Sequence, residues 1–212
     1  MTARYLVQAV AYAAKDPMFR FRRNVYYLER VNLALRRVVM DTHALLINST
    51  RPFIGVTGQR NFSIFNMIAA SSYQFLAIHK IWIDGYEVRP LKNGFHAMNM
   101  VNLSEGNIIR GYHFVPGPGL LGNEIWLDPV PANGIMFSAN IIYVAAPVAL
   151  SLDTNSTCAL GDEYQPAVEA LALALCFPPG SGPYMQAFAA YKEWLNDALY
   201  DEERRSEELD TP

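Results

Sequence analysis

The side chains able to do chemistry are few and scattered. His43, His79, His96 and His113 share no metal-ligand spacing with one another or with Cys158 and Cys176. Each histidine lies in or beside an apolar run, where a bonded or partly exposed imidazole is the ordinary outcome. Asp162 and Glu163 are adjacent carboxylates, and Asp84 and Asp128 sit at turns. Acid–base work needs two such groups in one cleft; capping and turn roles account for all four without one. The glycines of VPGPGLLGN resemble a phosphate loop only in composition, since Pro116 and Pro118 remove amide donors and no Lys-Ser/Thr follows. Arg20, Phe21, Arg22 and Arg23 interleave charge and aromatic surface, as some single-strand binders do, but one such cluster is a small footprint. The expectation is a chain with no catalytic, cofactor-binding or metal site, and not an enzyme.

What must position these residues is a chain of 212 residues, enough for one sizeable domain or one carrying an insertion. Only 17% of residues are charged, and twelve tyrosines, eleven phenylalanines and three tryptophans supply amphipathic contact surface. The net charge of −3 gives no whole-protein attraction to nucleic acid. It conceals an asymmetry. Seven basic residues lie between Lys15 and Arg37, and eight acidic ones between Lys192 and Asp210. These are either two solvated helix faces or complementary charge offered to a neighbour. Two cysteines without a CxxC fit a reducing cytoplasm. The longest apolar run, Ala167 to Phe177, is too short for a membrane span and ends at Pro178-Pro179, so no membrane partner is expected.

Hydrophobic spacing predicts a helix over residues 3–15 and a second from Arg23 to Met40, its stripe running through Val25, Leu28, Asn32, Leu35 and Val39. Strand-like runs begin at Thr42. FLAIHKIWIDGYEVRPL reads as a hairpin about Asp84-Gly85. NEIWLDP and GIMFSANIIYVAAP read as a second hairpin, with Ile135, Phe137, Ala139, Ile141 and Tyr143 on one face and Ser138 and Asn140 on the other. Phe95 to Ser104 suits a single helical turn. Helix returns after Ser151, with Asp162 and Gln165 at capping-box spacing and a last helix from Pro183. Segregated helices and strands indicate α+β. The expected architecture is a small helical bundle from residues 1–41 and 156–212, with residues 42–155 inserted as a mainly antiparallel sheet or sandwich. Residues 163–177 would be the central bundle helix.

The order of these segments resembles tailed-bacteriophage head–tail adaptor (connector) proteins, including the podovirus tail tubular protein A type. The resemblance rests on Asp128-Pro129-Val130-Pro131, Tyr143 and Pro147, on Gly161-Asp162-Glu163-Tyr164 opening an Ala-rich apolar run, and on Val31-Asn32-Leu33-Ala34 in the second helix. Gly161 stands where that family usually has proline. The resemblance implies a structural virion protein, made in the host cytoplasm and sited at the head–tail junction. It would form a ring, commonly dodecameric, under the portal protein, extend the DNA channel without sequence-specific binding, and join a tail tube or nozzle protein. A ring places different faces of identical subunits together. That use would set Arg20, Arg22, Arg23, Arg36 and Arg37 against a neighbour's last helix, with Glu202, Glu203, Arg204, Arg205, Glu207 and Glu208. The C-terminal tail would dock on the portal. The alternatives are another head-closure or tail-completion protein, and, more remotely, a small-molecule enzyme with a site built from scattered residues.

Overall fold

A computed structural model describes residues 1–68, 74–91, 105–117, 123–154 and 156–209, with side chains as far as residue 198. The turn expected within Phe95 to Ser104 lies outside these residues. The chain divides into two compact units, one made of residues 1–45 and 146–212 and the other of residues 46–145.

The first unit is helical. Helix α1 (Ala3–Ala13) starts where the Thr2 hydroxyl accepts the Tyr5 amide at 3.4 Å, and it buries Ala3, Leu6, Val7, Val10 and Ala11 on one face. Helix α2 (Asn24–Thr42) buries Tyr27, Val31, Ala34, Leu35, Val38 and Val39. The buried stripe is therefore rotated from the expected one: Val25 is exposed and Tyr27 takes its place inside. After the second unit the chain passes through a 3-10 turn, Asp162–Tyr164, into α4 (Gln165–Ala174) and α5 (Gly182–Leu209). No residue from Ala167 to Phe177 is exposed, because α1, α2 and α5 all pack on α4. Three of its four alanines, Ala167, Ala172 and Ala174, are fully buried and let those neighbours approach closely.

The α+β class holds, but the expected small bundle does not. Bundle helices match in length and cross at shallow angles along a shared core. Here α4 has 10 residues and α5 has 28, so the helices cluster irregularly about a short central one. A fifth helix, α3 (Ile64–Met67), belongs to the other unit. Stripe spacing shows which face is buried and not how many neighbours share it.

Asn32 shows what else shapes this unit. Its side-chain amide accepts the Leu150 N–H at 2.7 Å and donates to the Leu150 carbonyl at 3.2 Å, pairing with one residue as a strand would. The partner is backbone returning from the sheet, not another helix. Asn32→Ala should lower stability by roughly 1–3 kcal/mol, since both backbone groups lose their partner. Asn32→Asp should not restore it, because a carboxylate then faces the carbonyl. A lower urea midpoint at unchanged m for both variants would check this.

The second unit is a single seven-stranded sheet of order β1-β9-β3-β4-β6-β7-β2, together with a two-stranded pair β5-β8. The strands are β1 (Leu46–Ile54), β2 (Asn61–Ser63), β3 (Phe75–Ile83), β4 (Tyr86–Pro90), β5 (Glu105–Gly106), β6 (Gly111–Val115), β7 (Glu124–Asp128), β8 (Val130–Pro131) and β9 (Met136–Ala145). It is mixed, one parallel pairing among antiparallel ones, and it is a single curled sheet rather than a sandwich. Strands β4 and β6 run parallel, with Arg89 opposite Gly111. The sheet curls into a half-barrel. Its first and last strands approach each other, so that Phe53 of β1 and Phe62 of β2 meet edge to face at 5.0 Å. Helix α3 lies against both outer strands, and Arg51 of β1 donates to the Phe65 and Ile68 carbonyls at 3.3 and 3.1 Å.

The β3–β4 hairpin forms as expected, with Asp84 (φ 51) and Gly85 (φ 82) both left-handed. Along β9, Phe137, Ala139, Ile141 and Tyr143 are buried, whereas Ile135, expected on the same face, precedes the strand and is exposed. The second expected hairpin does not form: β7 pairs with β6 and β2, while β9 pairs with β1 and β3. The intervening residues have other partners. Val130–Pro131 pairs in parallel with Glu105–Gly106, and the Gly134 amide bonds to the Gly55 carbonyl at 2.9 Å.

Candidate subunit interface

The loop joining α1 to α2 is built around one carboxylate. Asp16 is 3% exposed, and its oxygens accept the backbone amides of Arg20 at 2.7 Å, Phe21 at 3.2 Å and Arg22 at 3.0 Å. The Tyr27 hydroxyl donates to it at 3.0 Å. Burial pushes the Asp16 carboxyl upward, but the four hydrogen bonds outweigh it and leave the group below the usual carboxylate range. Tyr27 is pushed up to about 12 by its own burial and by that carboxylate. The amide donors converge because Lys15 (φ 62) and Phe19 (φ 52) take left-handed conformations that non-glycine residues adopt rarely. The Phe19 ring packs edge-on against Tyr27 at 5.9 Å, holding the bend from inside.

The outer side of this braced loop is apolar and basic. Phe21 is 84% exposed and Met18 73%. Arg20 and Arg23 are exposed beside them. A recess of about 360 Å³ adjoins the loop, lined by Phe19, Asn24 and residues of α1 including Val7 and Gln8.

The five arginines singled out by sequence do not form one patch. Arg20 and Arg23 lie together at the start of α2. Arg22 turns inward: it donates to the Cys176 carbonyl at 2.6 Å and to the Tyr26 hydroxyl at 3.1 Å, and its guanidinium lies 4.6 Å from the centre of the Tyr26 ring. It ties the loop to the end of α4. Arg36 and Arg37 are exposed roughly 20 Å further along α2. Arg37 pairs with Asp41 at 2.9 Å, and Asp41 also accepts the Tyr191 hydroxyl of α5 at 2.7 Å. Burial and this hydrogen bond raise the Tyr191 phenol well above its usual value. Tyr191→Phe should cost roughly 1–3 kcal/mol by removing a charge-assisted bond, read as a lower thermal midpoint. The backbone of residues 199–209 is helical, but the side chains of Glu202, Glu203, Arg204, Arg205, Glu207 and Glu208 lie outside the described residues.

The bracing role of Asp16 and the exposed Met18 are what sequence reasoning passed over, since Asp16-Pro17 reads as a helix stop. The signal was an aspartate followed at four to six positions by residues outside any apolar stripe. Asp162 and Gln165 do not form a capping box; Gln165 bonds Tyr5 at 3.0 Å and Glu169 at 2.8 Å instead. Among the described residues no group of three His, Cys, Asp or Glu side chains is arranged to hold a metal ion, and no helix is long and apolar enough to cross a membrane. No protein-family model matches the chain, and a search of the curated proteins also finds no match.

Proposed function

We propose that this chain is a structural virion protein, a head-to-tail adaptor that assembles as a ring under a portal, extends the DNA channel and joins it to the tail. The observation that carries an assembly role is the braced loop. A rigid loop that presents an exposed phenylalanine and methionine between two arginines suits lasting contact with another protein surface, where aromatic residues, Met and Arg are enriched. The resemblance in segment order supports the particular assembly, and the absence of net positive charge suits a channel through which DNA slides. The ring would be a dodecamer, as is common in the family that the chain resembles. The C-terminal tail would dock on the portal.

Electron microscopy of the purified protein, alone and mixed with its portal, tests this reading. A ring with a central channel supports it. A protein that stays monomeric in both samples refutes it. Cross-links within intact particles that reach only distal tail proteins would point instead to a tail-completion role.

A further inference from the structure

We infer that the Asp16-braced loop is the anchoring half of the contact between copies of this chain, and that the end of α5 from a second copy covers it. The inference rests on the ring reading and names the surfaces that would make it. Three observations favour this occupant. First, the loop costs little to bind with. Its backbone is already fixed by three amide bonds to one carboxylate, so presenting Phe21 and Met18 loses little conformational freedom on association. Second, the charges match. The exposed Arg20 and Arg23 suit an acidic partner, and the last turns of α5 carry Asp201, Glu202, Glu203, Glu207 and Glu208 against Arg204 and Arg205. In the sequence, the apolar residues Leu199 and Tyr200 precede that acidic run. Third, α5 has the length to serve a neighbour. Its 28 residues span about 42 Å against about 15 Å for α4, the helix on which it packs.

A loop on one copy that meets a helix end on the next is a heterologous contact, which repeats round a ring rather than closing as a pair. Single-stranded nucleic acid is the competing occupant. It is less well served, because Arg22 is drawn inward to the Cys176 carbonyl and the alternation of base and aromatic is lost from the outer surface.

The test uses the full chain and measures self-association by light scattering and sedimentation. Phe21→Ala and the pair Arg20→Glu/Arg23→Glu remove exposed side chains and keep the backbone amides that Asp16 holds, so both should melt as the wild type does. Each should weaken self-association by roughly tenfold or more, the loss expected for a central anchor. Adding Glu202→Arg/Glu203→Arg to the arginine reversals should restore it. If the wild type forms rings and these variants form them equally well, the loop assignment is overturned and the adaptor reading stands. If the reversals leave the rings intact but abolish salt-sensitive retention of single-stranded DNA, the loop is a nucleic-acid surface and the assignment is again overturned. A wild type that is monomeric alone and with its portal overturns both.

Discussion

Replacing Asp16 with alanine should lower the melting temperature of the helical unit by on the order of 10 °C, among the largest effects of any polar substitution in this chain. Three consecutive backbone amides and the Tyr27 hydroxyl lose their acceptor together. The left-handed residues Lys15 and Phe19 lose what holds them. Asp16→Asn should resemble Asp16→Ala more than the wild type, because a carboxamide replaces one acceptor oxygen with a donor that faces other donors. The pH dependence has a definite sign. The folded pKa of Asp16 lies below the ordinary aspartate value. Its stabilisation is thus fully present above the unfolded pKa and is lost as pH falls through the folded one. The gap in melting temperature between the wild type and Asp16→Ala should be constant from neutral pH to about pH 5 and narrow only in stronger acid. A gap that persists unchanged through the acid range would show that the carboxylate is not what the amides hold.

Phe137→Ala should destabilise the sheet unit by about 3–5 kcal/mol. Phe137 is fully buried on β9, and its ring stacks on Phe53 of β1 at 5.3 Å. Phe53 in turn meets Phe62 of β2, so the three rings link strands at opposite ends of the sheet order. Removing the Phe137 ring opens a cavity beside Phe53, where the half-barrel curls. The expected result is a lower guanidinium midpoint together with increased binding of a hydrophobic dye, as the curl loosens. Phe137→Leu, which keeps most of the volume, should cost well under half as much.

Local devices in this fold were legible in the sequence, and choices of partner were not. Asp84-Gly85 encodes its hairpin because two adjacent residues tolerate left-handed backbone. The alternation through Phe137, Ala139, Ile141 and Tyr143 fixed the buried face of β9. Nothing in that alternation says which strands lie beside β9, and the neighbour in sequence, β7, turned out to belong elsewhere. The helices tell the same story: the face was readable to within a residue, and the irregular cluster about α4 was not. In the candidate interface, residue type identified the basic cluster. It could not separate Arg22, held inward by a carbonyl, from Arg20 and Arg23, which face out. The brace was hidden for a further reason. Its geometry depends on left-handed Lys15 and Phe19, and neither residue type advertises that conformation.

The register of β1 against β9 bears on how such a chain folds at all. Leu46 lies opposite Val144, so the strands by which the backbone enters and leaves the sheet unit are neighbours. Helix α4 packs on α1 and α2 from across that excursion, a closure that for a slack loop of about 100 residues would cost about 4 kcal/mol in chain entropy. A sheet that has already formed brings its two ends to the spacing of adjacent strands and removes most of that cost. The two are thereby coupled: closing the sheet lowers the cost of assembling the helices, and the helices equally favour the closed sheet.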